Sequence, residues 1–441
     1  MKMSMDFSSD FLFGCATASY QVEGAAFEDG RKPCIWDTFA AIPGKVWCGD
    51  DGKVSVDQYH RYKEDVALMA DLGFQAYRFS IAWPRIIPDG RGSVNEKGVA
   101  YYRALCEELH AKGLKAYATI YHWDLPQSLQ DEGGWANRRI AYDYLEYAKA
   151  CIIALDDVVD GWITINEPFC ITWLSYLYGG HAPGYTDMSL ATRAVHHVNL
   201  AHGLIMDWYR KQGYAKPIGI TVNPQTPRPA TRRPEDVKAA ALARAFETEV
   251  FLGPYTGKGY PEILAERGIT FPVEEGDLDL ISIPVDFFGI NYYNEYPVKA
   301  VSEGLGWQQQ PFWERKTDIG WPCDASGLVR QLKWLDEYTG HKPLYITENG
   351  SAEADVLTLD GRVHDRERID YIHKHLEACS DAIKAGVDLR GYFVWSFIDN
   401  YEWTEGYSKR FGVVYADYKT LKRYPKDSAY FLRDVIAGYG E

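Results

Sequence analysis

Short runs of β-branched and aromatic residues alternate along this chain with stretches whose apolar positions recur every three or four residues. The strand-like runs fall near 11–18, 75–81, 115–121, 161–166, 217–222, 286–291, 343–348 and 389–397. Amphipathic stretches follow them near 57–72, 97–111, 138–155, 189–212, 235–250, 326–339, 365–385 and 426–437. Eight strand–helix units in sequence predict a parallel sheet, and eight is the number that closes a (β/α)8, or TIM, barrel. Helix-to-strand turns are short and carry Gly73, Gly113, Gly213 and Gly386, which suit left-handed helix ends. Strand-to-helix segments are long, as at 22–56, 122–137 and 292–325, so the elaborated face is the C-terminal mouth of the strands. An open doubly wound sheet is the alternative, but no Gly-x-Gly-x-x-Gly follows any strand. No linker or low-complexity segment divides the chain, and residues 1–441 are expected to form a single domain.

Polar residues that interrupt strands at their C-terminal ends are the candidates for chemistry. In chain order they are Gln21, Arg78, His122, Asn166 with Glu167, Asn223, Asn291 with Tyr293, Glu348 and Trp395. Two are carboxylates in similar settings, Trp-Ile-Thr-Ile-Asn-Glu-Pro (162–168) and Leu-Tyr-Ile-Thr-Glu-Asn-Gly (344–350), ending the fourth and seventh strands. Alone, Asn-Glu-Pro could be a helix start with Pro168 in its first turn. Together, two carboxyl groups aimed at one point above a barrel are what glycoside hydrolysis requires.

Composition adds to this picture. The chain has 14 Trp, 32 Tyr and 18 Phe, a surplus suited to stacking flat apolar faces while donating hydrogen bonds, as sugar rings require. With 47 basic and 62 acidic residues the net charge is −15, which disfavours nucleic acid as a partner. The eight cysteines are scattered without metal-type spacing, so free thiols in a reducing compartment are expected, and no metal or cofactor is implied. Asp6 and Asp10 interrupt any signal-peptide pattern, and no apolar run approaches about 18 residues. A cytoplasmic protein with no membrane association is expected, its oligomeric state open.

In sequence order the chain carries Phe-Gly-Cys-Ala-Thr-Ala-Ser-Tyr-Gln-Val-Glu-Gly (13–24), Tyr-Arg-Phe-Ser-Ile-Ala-Trp-Pro-Arg (77–85), Tyr-His-Trp-Asp-Leu-Pro (121–126) and Ile-Asn-Glu-Pro (165–168). Gly-Ile-Asn-Tyr-Tyr (289–293), Ile-Thr-Glu-Asn-Gly (346–350) and Trp-Ser-Phe-Ile-Asp-Asn-Tyr-Glu-Trp (395–403) follow. In these motifs the chain resembles, nearly end to end, the family 1 glycoside hydrolases, which are retaining β-glucosidases and β-galactosidases. The resemblance implies Glu348 as nucleophile and Glu167 as general acid/base. Arg78 and Tyr293 would hold Glu348, and Asn166 would bind the sugar 2-hydroxyl. Gln21, His122 and Trp403 would bind near the 3-hydroxyl, and Glu402 with Gln21 would take the 4- and 6-hydroxyls. Trp395 would form the stacking floor, Phe411 a wall and Trp321 an aglycone-side aromatic. Taken singly, His122 and Trp395 could be core residues and Glu402 a solvated acid.

Phe169 departs from the family pattern, where many relatives carry Trp, and the 320–327 segment lacks a common Pro before its final Gly. Both departures bear on the aglycone side. The implied function is β-glucoside hydrolysis with side activity on β-galactosides and β-fucosides. A 6-phospho-β-glycosidase is the first alternative, disfavoured by like-charge repulsion between phosphate and Glu402. A catalytically inactive sugar-binding barrel is the second.

Overall fold

The computed structural model describes residue 5, residues 7–311 and residues 313–439. Eight strands form one closed parallel barrel: β1 (Leu12–Ala16), β2 (Ala76–Ser80), β3 (Lys115–Thr119), β4 (Gly161–Asn166), β5 (Ile218–Val222), β6 (Phe287–Asn291), β7 (Leu344–Asn349) and β8 (Leu389–Trp395). Each strand pairs with its sequence neighbours. β1 closes the ring by pairing with β2 at Gly14↔Ala76 and with β8 at Leu12↔Gly391. Each strand is followed by one principal helix: α1 (Gln58–Asp71), α2 (Glu96–Ala111), α3 (Arg139–Leu155), α4 (Met188–Gln212), α5 (Pro234–Arg244), α6 (Ala325–Tyr338), α7 (Arg366–Lys384) and α8 (Asp427–Tyr439).

The helices form because one stripe of each is apolar. α7 buries Tyr371, Ile372, His375, Leu376, Cys379 and Ala382, a spacing of three and four that makes one face. Strand residues facing the helices are large; Phe79, for example, stacks on Tyr102 of α2 at 6.2 Å. All four helix-end glycines noted above have positive φ, from 76° to 100°, where a side chain would be strained.

Inside the barrel the chain changes character along the strands. The N-terminal half is filled by aromatics, with Tyr117 against Phe393 at 5.7 Å and Phe287 against Tyr345 at 5.2 Å. Above them lies a buried polar layer of Arg78, Thr119, Asn166, Thr221, Asn291 and Thr347. Gly289 makes room for it, since a Cβ there would sit 2.3 Å from Thr221 Oγ1. The aromatic plug thus excludes water from below and forces polar groups above it to satisfy one another.

Two local features differ from the expected helices. The stretch expected over 235–250 is α5, then a π-helical turn (Ala245–Glu249), then a further helix (Val250–Tyr255). Directly after the fourth strand, Cys170–Leu177 is also π-helical. A wider turn rotates side chains off the 3.6-residue period, so the apolar pattern carries no sign of it. Within the long 292–325 connection, Pro297–Ala300 and Trp307–Gln309 pair as an antiparallel ribbon that extends to Arg228–Pro229. Among the described residues no helix is long and apolar enough to cross a membrane, and all eight cysteines are unpaired.

Candidate active site

The barrel mouth opens into a cavity of about 840 Å³. His122, Glu167, Tyr293, Trp321, Glu348, Trp395, Glu402, Trp403 and Phe411 all line it. Arg78, Asn166 and Gln21 are fully buried just below its surface.

Glu348 lies on β7, where the ladder to β6 shifts register between Ile346 and Glu348. Both of its oxygens are engaged. Arg78 Nη1 donates to Oε1 at 2.7 Å, and the Tyr293 hydroxyl donates to Oε2 at 2.7 Å. Arg78 is itself fixed by the Thr119 hydroxyl, the Thr347 carbonyl and Asn166 Oδ1. Burial pushes the Glu348 carboxyl up, and the guanidinium and the Tyr293 hydroxyl pull against that rise.

Glu167 follows the last residue of β4 and has φ 50°, in the left-handed region. A non-glycine residue there costs on the order of 1–3 kcal/mol, and such strain concentrates at functional sites. The conformation is held by Glu167 N–H donating to Thr221 O at 2.9 Å. Asn291 Nδ2 donates to Glu167 Oε1 at 2.6 Å, and Cys170 Sγ lies 3.0 Å from Oε2. Glu167 is raised well above the usual carboxylate range, first by burial and then by the charge of Glu348. Of the two carboxyls, Glu167 is therefore the one that holds a proton, since only Glu348 has a guanidinium against it.

The remaining candidates make a polar pocket with aromatic walls. Asn166 Oδ1 accepts from Arg78 and Asn291, so its amide nitrogen is the donor toward His122 Nε2 at 3.1 Å. That makes Nε2 an acceptor and leaves the His122 Nδ1 hydrogen without a protein partner. Burial and the Arg78 charge keep His122 neutral. Its ring lies nearly parallel to Trp395 and to Trp403, with centroids 5.9 Å away in each case. Gln21 Nε2 donates to Asn400 Oδ1 and to the Tyr401 carbonyl, tying down the loop that carries Glu402, while its Oε1 is unpaired. Asp399 anchors the same loop from below, accepting from Arg410 Nη1 at 2.6 Å, Lys426 Nζ at 2.7 Å and Gly412 N at 3.0 Å.

Glu402 is half-buried and lines the cavity. Burial, followed by the charges of Glu348, Glu405 and Glu167, pushes it up to about 8. The solvated-acid reading therefore does not apply. A carboxyl raised in this way carries less negative charge near neutral pH than an ordinary one, so the charge-repulsion argument against phosphate is weakened. Trp321, Tyr293 and Phe411 form one aromatic corner, with centroids 5.1 to 6.0 Å apart.

Several lining residues went unassigned in the sequence. Asn291 was visible at a strand end but had no role. Cys170 falls one turn after Glu167, a spacing that in hindsight signals contact. In the outer wall, Asn223, already noted at a strand end, and Gln225 follow β5, whereas Glu247 comes from the π-helical turn and Gln309 and Gln310 from the end of the ribbon, neither of which the pattern foretold. Glu247 accepts from the Tyr296 hydroxyl and is pushed by burial to about 7. Phe169 lines the outer cavity as well. No cluster of His, Cys, Asp and Glu suited to a metal ion occurs among the described residues.

A closed parallel barrel with two unequal carboxyls at its mouth, inside an aromatic-walled polar cavity, defines a barrel glycoside hydrolase. A model of glycosyl hydrolase family 1 matches residues 3–441, and the chain belongs to that family. It is 44% identical over 440 residues to the β-glucosidase A of Thermotoga maritima, covering 98% of each chain. It is 42% identical over 465 residues to the bifunctional β-D-glucosidase/β-D-fucosidase of Bifidobacterium breve, covering 99% of each. A solved family 1 β-glucosidase from Thermotoga maritima, in complex with isofagomine lactam, superposes with a TM-score of 0.96 at 43% identity, covering 99% of this chain and all of that one.

Proposed function

We propose that the protein is a retaining β-glucosidase that releases terminal non-reducing β-D-glucosyl residues through a covalent glycosyl-enzyme, with side activity on β-galactosides and β-fucosides. The observation that carries this is the inequality of the two carboxyls: Glu348 is gripped by Arg78 and Tyr293, while Glu167 lies beside its charge with only amide and thiol partners. In the first displacement a Glu348 oxygen attacks the anomeric carbon. The bond to the leaving oxygen breaks, and that oxygen takes the proton of Glu167. Esterified Glu348 no longer carries charge, so Glu167 becomes the stronger acid and ionises. In the second displacement water attacks the anomeric carbon, gives its proton to Glu167 and restores the Glu348 carboxylate.

The glycone assignments extend this reading. Asn166 would hold the 2-hydroxyl, where the contact tightens as charge develops at the ring. The unpaired His122 Nδ1 hydrogen would meet the 3-hydroxyl region together with Gln21 and Trp403, and Trp395 would be the floor. Among the described residues lining the cavity, Lys316 is the one cation, and it belongs to the loop of Trp321 rather than to the Glu402 loop. That disfavours a 6-phosphate independently of the charge on Glu402. The small-molecule partner is a β-glycoside or short oligosaccharide, and residues 1–441 are one hydrolase domain. Eight unpaired thiols, six of them buried, support a cytoplasmic location.

The deciding test is stereochemical. Carboxyls about 5–5.5 Å apart support retention, so NMR early in hydrolysis should show the β anomer of glucose first. If α appears first, the double displacement is wrong.

A second expected result concerns Glu402. Glu402→Ala should lose about 1–3 kcal/mol of transition-state binding on a β-glucoside, or roughly 5–150-fold in kcat/KM, because it leaves sugar hydroxyls unpaired. The loss should be smaller on a β-fucoside, which lacks the 6-hydroxyl. Equal losses on both substrates would remove the 6-hydroxyl contact.

A further inference from the structure

The two oxygens of Glu167 are not equivalent. Thr347 Oγ1 donates to Asn291 Oδ1 at 2.8 Å, which fixes the Asn291 amide with its nitrogen toward Glu167. That nitrogen donates to Glu167 Oε1 at 2.6 Å. Oε1 is therefore an acceptor in both protonation states, and the titrating proton resides on Oε2. The protein partner of Oε2 is Cys170 Sγ at 3.0 Å. The sulfur in turn takes an N–H from Asn223 at 3.5 Å, which leaves its own hydrogen for Oε2. Cys170 is buried, lines the cavity, and starts the π-helical segment in which its N–H bonds to the Glu167 carbonyl at 3.0 Å. One backbone turn thus aims both side chains the same way.

We propose that Cys170 is a positioning residue that acts through Oε2 of Glu167, holding the oxygen that gives up and recovers the proton. This rests on the reading of Glu167 as general acid/base. In the acid form Oε2–H has only sulfur as protein acceptor, a weak one, so the proton passes readily to a glycosidic oxygen. In the ionised form the thiol turns and S–H donates to Oε2. A thiol is also a weak donor, so the carboxylate is oriented while staying basic enough to take a proton from water. Burial and the neighbouring Glu167 keep the Cys170 thiol far above its ordinary range, so it remains S–H throughout. A hydroxyl in its place would donate more strongly to the ionised form and bias the cycle toward it.

The other ionisable groups facing Glu167 are Glu348 on β7, Arg78 on β2, Tyr293 after β6 and Glu402 after β8, with His122 beyond Asn166. All are unchanged by substitutions at 170.

The test is the pH profile of kcat/KM for an aryl β-glucoside in the wild type, Cys170→Ser, Cys170→Ala and Glu167→Ala. A stronger donor to the ionised form lowers a carboxyl pKa and a missing donor raises it. The basic limb should therefore move down in Cys170→Ser and up in Cys170→Ala, each by roughly half a pH unit or more. In Cys170→Ala the loss should also be larger for an alkyl β-glucoside than for a dinitrophenyl β-glucoside, whose departure needs no proton. A basic limb that moves the same way in both Cys170 variants, or in neither, while vanishing in Glu167→Ala, overturns the proposal alone. A basic limb that persists in Glu167→Ala overturns the acid/base reading beneath it.

Discussion

Glu348→Ala is expected to be inactive toward every β-glucoside, whatever its leaving group. In the proposed double displacement the variant lacks the attacking atom, and no other described carboxyl shares the grip of Arg78 and Tyr293. By comparison with other enzymes stripped of their nucleophile, kcat should fall by about 10⁵-fold or more. Arg78 would then be a buried guanidinium without its carboxylate, and leaving one partner of a buried pair unpaired costs about 3–5 kcal/mol. The fold should weaken along with the activity. Circular dichroism and the melting temperature separate the two effects: a folded variant at low temperature with no turnover is the expected outcome. Burst release of dinitrophenolate from a folded Glu348→Ala enzyme would remove Glu348 from the nucleophile role.

Glu167→Ala should behave differently. On the proposed mechanism it removes proton transfer alone, which typically contributes about 10²–10⁴-fold. Dinitrophenolate leaves without a proton, so glycosylation by that substrate should stay fast. Deglycosylation should be slow because water lacks its base, giving a burst of phenolate followed by a low steady rate. Azide needs no base and should restore turnover, yielding β-glucosyl azide. The acidic limb of the pH profile, set by Glu348 having to be ionised, should persist. The basic limb should disappear. The sign follows from the raised Glu167 carboxyl: the acid is present below its folded pKa and lost as pH rises through it. An α-glucosyl azide product would reverse the two roles.

Much of the architecture was legible in the sequence because its signals are local. The spacing of Tyr371, Ile372, His375, Leu376, Cys379 and Ala382 specifies a one-sided helix without knowledge of what covers it. The β-rich runs match the barrel strands to within two residues at each end, and the four glycines end helices as expected. The two carboxylates stood out because each interrupts an apolar strand at its end, and the end of a parallel strand is where a barrel gathers its polar groups. Arg78 and Tyr293 do meet Glu348. Gln21 was legible as a mouth residue; that its amide nitrogen ties the Asn400 side chain and the Tyr401 carbonyl, leaving its Oε1 unpaired, only the structure shows.

The sequence by itself determined the order of elements, the barrel and which two carboxyls stand at the ends of its fourth and seventh strands, since these follow from periodicity and from polar residues that interrupt apolar strands. Only the tertiary structure decided how each acid behaves. A carboxyl group's proton affinity is set by burial and by charges from other strands, which no local pattern records. Glu402 looked like an ordinary negative charge, but burial beside Glu348, Glu405 and Glu167 raises its proton affinity far above that of a surface carboxylate. Glu167 and Glu348 are the same residue type at equivalent strand ends. What separates them is a guanidinium from β2 on one and a left-handed turn, an amide from β6 and a thiol from a π-helical segment on the other.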